Sequence, residues 1–192
     1  DWQMLVENFD EGDNFPRFQR SNRPSSGPRR FRTTLKYFRA TNGQFAYEDH
    51  ETPWSILGPN LDINITNYPK YHGEASFKGG VVSIQKYEPM WTDFKAAFTI
   101  DGGNLMLDRI DLTTDGAVST ARGVVDMNHW PEQTYQVTSR VAFHRMREIF
   151  FARERWNLSG DGDFSGVFHL FKGCHNLSGQ FTSVQAGLNQ YR

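Results

Sequence analysis

The sequence predicts an all-β protein, a long antiparallel meander with one short helix near residues 144–155. Three observations carry that expectation. First, apolar and polar residues alternate over long stretches, most clearly from Trp156 to Phe171. There Leu158, Gly160, Gly162, Phe164, Gly166, Phe168 and Leu170 fall on one side, and Asn157, Ser159, Asp161, Asp163, Ser165, Val167 and His169 on the other. Successive side chains of a strand point to opposite faces, so this reads as a single long strand with one greasy side. Second, turn signals recur every 8–14 residues with no helical pattern between them. Third, the 192 residues include sixteen Phe and seventeen Gly. Phe and Gly at alternating positions suit pleated strands better than helices.

Taken in order, residues 2–9 read as a strand, with Trp2, Met4 and Val6 on one face. Asp10 to Pro16 is rich in turn formers. Residues 17–39 contain seven arginines and Lys36 and no acidic residue, and residues 19–30 within them read as a basic flexible linker or loop. Phe31 to Phe38 resumes the alternation, and Thr41-Asn42-Gly43 reads as a hairpin turn. Further strands follow at 44–49, 61–66, 71–77, 81–84, 94–100, 105–112, 117–127 and 134–143. Met146, Ile149, Phe150 and Arg153 then sit at helical spacing, which gives the one helix, placed to plug an end of a curved sheet. After Gly173, Leu177, Gly179 and Phe181 repeat the Leu/Gly/Phe face. A sandwich and a closed barrel are the ordinary architectures for such a pattern.

The formal net charge of −1 gives no global preference for nucleic acid. There is no apolar run of eighteen residues, so no transmembrane helix is expected within these residues. The chain opens at Asp1 inside a strand-like pattern, so a piece of a longer protein is expected. One cysteine, Cys174, allows no internal disulfide, and a buried or partly buried thiol is expected.

No constellation for catalysis is present, so the chain is read as a non-enzyme with no cofactor and no metal. Asp161-Gly162-Asp163-Phe164-Ser165-Gly166 resembles the start of a calcium loop. Lys172 stands where that loop needs a bidentate Glu, and the alternation argues for strand. Six histidines show no paired metal spacing. His169, His175 and Cys174 flank a turn and are a candidate two-His-one-Cys group, with surface or rim histidines as the plain reading. Glu48-Asp49 and Asp161/Asp163 are carboxylate pairs of the type used in glycoside hydrolysis, but turn and strand-surface roles explain them more simply. The arginine-rich stretch reads as a solvated connection, or as a contact for anionic headgroups through Arg20, Arg23, Arg29 and Arg30.

Several stretches, in order, resemble the AsmA-like family, AsmA- and TamB-related proteins included. Phe9-Asp10-Glu11-Gly12-Asp13-Asn14-Phe15-Pro16 is similar to a segment that in that family follows a strand and precedes a variable linker. Phe38 to Asp49, Asn60 to Ile65, Tyr71 to Phe77, Leu107 to Ala117 and Ala121 to Asp126 resemble its successive rungs, and the two Leu-Ser-Gly rungs close the series. The resemblance covers most of the chain, as one segment over residues 1–192. It implies a meander curled into a U-shaped groove that carries phospholipid acyl chains in outer-membrane assembly and lipid homeostasis. It also implies the periplasm of a Gram-negative bacterium, a parent anchored in the inner membrane, and envelope-assembly proteins as partners. On this reading the groove is lined by Leu61, Ile63, Ile65, Phe94, Phe98, Leu105, Leu107, Leu158, Phe164, Phe168, Leu170, Leu177 and Phe181. Alternate glycines would leave room for ligand or let the sheet curl. The competing reading is a β-sandwich that binds carbohydrate or protein ligands. It expects Phe164 and Phe168 to pack on a second sheet, and Trp54, Trp91 or Trp130 to form a platform.

Overall fold

A computed structural model describes residues 2–14, 34–51, 53–129, 132–171 and 174–189. The basic linker at 19–30, with Arg20, Arg23, Arg29 and Arg30, lies outside the described residues. The protein is all-β with one short helix. Its strands are β1 (Trp2–Phe9), β2 (Gly12–Asp13), β3 (Tyr37–Asp49), β4 (Trp54–Asn67), β5 (Tyr71–Ile84), β6 (Met90–Asp101), β7 (Asn104–Thr114), β8 (Ala117–Asp126) and β9 (Gln133–Ala142). The helix α1 (Phe143–Phe150) follows, then β10 (Asn157–Ser159), β11 (Asp161–Phe171), β12 (Cys174–Thr182) and β13 (Gly187–Asn189). Eleven strands form one sheet in the order β12-β11-β9-β8-β7-β6-β5-β4-β3-β1-β2. Strands β10 and β13 form a separate two-stranded sheet.

Each strand from β3 to β9 pairs antiparallel with the next, so the meander is local in sequence. Strand β1 departs from it. It lies parallel to β3, with Val6 opposite Tyr47. Parallel neighbours need a long crossover, and residues 10–36 supply the length for one.

Directly paired residues share a face, so the register gives the composition of each side. One row across the sheet runs Ile65, Gly73, Phe98, Leu107, Gly123, Tyr135, Phe168, Leu177. The next runs Ile63, Ala75, Ala96, Ile110, Ala121, Val137, Gly166, Gly179. This apolar face holds the core, including Leu61, Phe77, Ala96, Phe98 and Val125, all buried. The opposite face is polar. There Thr120 and Thr138 hydroxyls meet at 2.7 Å, Arg122 donates to Gln136, and Arg140 pairs with Asp161.

Five sequence expectations need correction. The 157–171 stretch is not one strand. Gly160 adopts φ +93°, a conformation that favours glycine, and the chain breaks there into β10 and β11. Leu158 therefore belongs to the small sheet, opposite Leu188. Asn42-Gly43 is not a hairpin. It is a bulge inside β3, with Asn42 at φ 56° and its N–H donating to the Asp62 carboxylate at 2.9 Å. The pairing of β3 with β4 on both sides of Asn42 outweighs the local turn signal. Gly79-Gly80 is likewise a bulge within β5. The helix stops at Phe150, short of the expected 155, and beyond it the Arg147 guanidinium reaches forward to donate to the carbonyls of Glu154 and Trp156 as the chain turns. Cys174 is exposed, since β12 is an edge strand exposed along its length.

The glycines of the apolar face are covered by neighbouring rings. The Phe77 ring lies between Gly58 and Gly80, and a Cβ on Gly58 would stand 2.7 Å from it. Tyr135 covers Gly123, Phe98 covers Gly73, and Phe164 covers Gly166 and Gly179. The space that alternate glycines open is thus filled by protein, an arrangement also used to protect glycine in designed sheets.

Thr92 is fully buried, and its hydroxyl has no hydrogen-bond partner among the described residues. A buried hydroxyl without a partner costs about 1–3 kcal/mol by mutational measures. Thr92→Val keeps the shape and removes the hydroxyl, so it is expected to raise stability by about 1 kcal/mol, read as a higher urea midpoint with unchanged slope.

Helix α1 closes one end of the apolar face. Phe143 and Ile149 are buried, Phe143 packs on Phe181 of β12, and Phe150 meets Tyr87 of the β5–β6 turn edge-on at 5.0 Å. Arg145 donates to Asp115 of the β7–β8 turn at 2.6 Å and to Glu148 at 2.9 Å. The guanidinium holds the Asp115 carboxyl below its ordinary value of 3.8, chiefly by that hydrogen bond. A depressed folded pKa gives stability that is present above the ordinary value and lost as pH falls through the depressed one. Arg145→Met is therefore expected to cost stability at pH 6, with the difference from the parent closing as pH falls below the ordinary carboxylate value in acid-titrated urea melts.

Candidate functional site

The candidate site is a cavity of about 580 Å³ on the apolar face. Its lining comes from both halves of the sheet: Phe45 and Tyr47 of β3, Trp54 and Ile56 of β4, Ile84 of β5 and Phe94 of β6 on one side, and Gln133 and Tyr135 of β9, Phe168 and Leu170 of β11 and His175 of β12 on the other. Pro53 and Gln85 complete it at two turns. The volume falls within the range of small-molecule sites, about 300–1,000 Å³. Among the described residues, no Lys, Arg, Asp or Glu lines it.

Aromatic rings are placed here in pairs. Tyr47 and Trp54 lie 4.9 Å apart on adjacent strands, and Tyr135 and Phe168 stack at 6.2 Å across β9 and β11. The Tyr47 hydroxyl donates to the buried Asp49 carboxylate at 3.2 Å, which also accepts from Asn8 Nδ2 and from the Glu51 N–H. Burial and Asp49 push the Tyr47 phenol well above its ordinary range, and Tyr135 adds to that shift. That influence puts the two tyrosines within electrostatic reach of each other, although their strands are far apart in the sheet order. Burial raises the Tyr135 phenol to about 12, and its hydroxyl donates to Gln133. Both phenols are neutral at physiological pH, so the cavity carries no ionised tyrosine.

Of the residues assigned to a groove from sequence, all but Leu158 fall on the apolar face. The cavity itself takes Phe94, Phe168 and Leu170 from that set. Leu61 and Phe98 are packed in the core, and Leu177 and Phe181 are exposed at the edge. The sequence reading did not single out Phe45, Tyr47, Trp54 or Tyr135 for the cavity. The alternation of Phe45 with Tyr47 and of Tyr135 with Val137 was the available signal, but strand curvature decides which alternating residues meet.

The other candidate groups disperse. His169 and His175 sit on opposite faces, because His175 pairs with Leu170 and His169 with Asn176. With Cys174 paired to Phe171, the three do not gather into a metal site. Asp161 and Asp163 lie on the exposed polar face. Glu48 and Asp49 point to opposite faces, Glu48 exposed and Asp49 buried. Trp54 faces the cavity and Trp91 is exposed on the other face, so they share no platform, and Trp130 lies outside the described residues. Among the described residues, one group has ligand atoms close enough to hold a metal ion. His50 Nε2 stands 3.5 Å from Glu7 and 3.8 Å from Glu48, with the Phe9 ring stacked on the imidazole. No helix among the described residues is long and apolar enough to cross a membrane. Comparison with protein-family models, with curated proteins and with solved structures returned no match.

Proposed function

We propose that this chain binds the apolar chain of a lipid on the inner face of a curled sheet, as a section of an AsmA-like envelope protein that carries phospholipid acyl chains. The observation that carries the reading is a cavity lined from both halves of the sheet. Strands β3 and β11 stand seven places apart in the order. At about 4.8 Å per place, a flat sheet would separate them by roughly 34 Å. Joint lining of one cavity supports a sheet rolled towards itself, helped by its natural twist and by the bulges in β3, β5 and β7. An uncharged apolar wall suits an acyl chain, each buried methylene contributing about 0.8 kcal/mol. The role is binding and not catalysis, and the periplasm and an inner-membrane-anchored parent belong to the same reading.

A photoreactive fatty-acyl phospholipid tests it. Crosslinks are expected on the peptides carrying Trp54, Tyr135 and Phe168. Crosslinks confined to the polar face around Arg122 and Thr138, or none at all, would overturn the proposal.

A further inference from the structure

We infer that the cavity selects amphiphiles whose polar end is a quaternary ammonium group, an inference that rests on the apolar-ligand reading above. Six of the lining side chains are aromatic: Phe45, Tyr47, Trp54, Phe94, Tyr135 and Phe168. An acyl chain alone needs no such enrichment, because aliphatic side chains solvate methylenes equally well. Aromatic faces differ in carrying negative quadrupole density, which attracts a cation within about 6 Å of the ring centre.

These rings are not simply core. Phe77 and Phe98 elsewhere on the apolar face, and Phe143 of helix α1, are buried at 5%, 9% and 8% exposure. Five of the six cavity rings instead remain partly exposed, so they keep surface that no protein atom covers. They also come from opposing halves of the sheet, Tyr47 with Trp54 on one and Tyr135 with Phe168 on the other. A methylated ammonium in the cavity therefore has aromatic side chains from both halves of the sheet in the wall around it.

The polar chemistry agrees. Among the described residues, no Lys or Arg lines the cavity to repel a cation or to pair with a phosphate or sulfate. The polar groups there are Gln85, Gln133, His175 and the two phenols, with no Asp or Glu among the described residues to favour an ordinary ammonium through a salt bridge. A quaternary ammonium has no N–H to satisfy and a low desolvation cost, so it fits a wall of rings better than a primary amine does. The Asp49 carboxylate, by accepting the Tyr47 hydroxyl, fixes the angle of that ring towards the cavity.

The test is isothermal titration of the whole chain with decyltrimethylammonium, decyl sulfate and decyl maltoside, each below its micelle concentration. Decyltrimethylammonium is expected to bind about tenfold tighter than decyl maltoside, and decyl sulfate weaker than both. Phe168→Leu and Tyr135→Leu keep apolar bulk but remove a ring face, and are expected to bring the cationic-to-neutral ratio towards one. Equal affinities for all three headgroups in the unaltered chain, or a preference for sulfate, would overturn the cation selectivity while leaving apolar-ligand binding intact. Failure of every amphiphile to bind would overturn both.

Discussion

Phe77→Ala is expected to destabilise the protein by about 3–5 kcal/mol, the usual cost of removing a buried phenylalanine. The ring is 5% exposed and stacks on Phe94 at 5.3 Å. It also fills the space above Gly58 and Gly80 on the two strands beside it. Neither glycine has a side chain to relax into the void, so the cavity should persist and the cost should lie near the upper end of that range. Urea unfolding followed by far-ultraviolet circular dichroism reads the effect. A loss below about 1 kcal/mol would mean that the ring is not the filler of that space.

The second large effect concerns the cavity. Leu170→Trp adds an indole to its wall from β11, where Leu170 is only partly buried. The added ring displaces about two methylenes of a bound chain, worth about 1.6 kcal/mol at 0.8 kcal/mol each. Binding of an acyl ligand is therefore expected to weaken about tenfold or more. Stability should hold or rise, because the substitution fills space without removing a contact. Titration calorimetry and urea unfolding on the same preparation separate the two quantities. Unchanged affinity in a folded Leu170→Trp variant would place the ligand elsewhere.

Much of the strand content was legible in the sequence because one-sided burial writes a period of two into the chain. Phe94, Ala96, Phe98 and Ile100 announce β6, and Ala117 to Asp126 announces β8. Where the reading erred, a local signal lost to pairing. Asn42-Gly43 carries a strong turn preference, yet β4 pairs with β3 on both sides of it, and the cheapest accommodation is a bulge. Gly160 shows the reverse, since it continued the alternation in sequence but takes a left-handed conformation that ends the ladder. The cavity was less legible than the strands. Alternation assigns a residue to a face, but it cannot say which distant residues on that face will meet. Phe168 and Trp54 meet one cavity through the shape of the whole sheet, and no short stretch encodes that shape.

The long span of that lining also bears on the order of assembly. Its members run from Phe45 to His175, whereas almost every strand pair in the meander joins sequence neighbours. Neighbouring hairpins close short loops, and contacts between distant segments come with a larger entropic cost. The strands can therefore zip in sequence order while the cavity waits for β11 and β12. A nascent chain that has released only the first nine strands would hold most of its sheet and ten of the thirteen lining residues, lacking Phe168, Leu170 and His175. On the proposed reading, ligand capture is then a late event in the life of the polypeptide, and it reports that the last hairpin has docked.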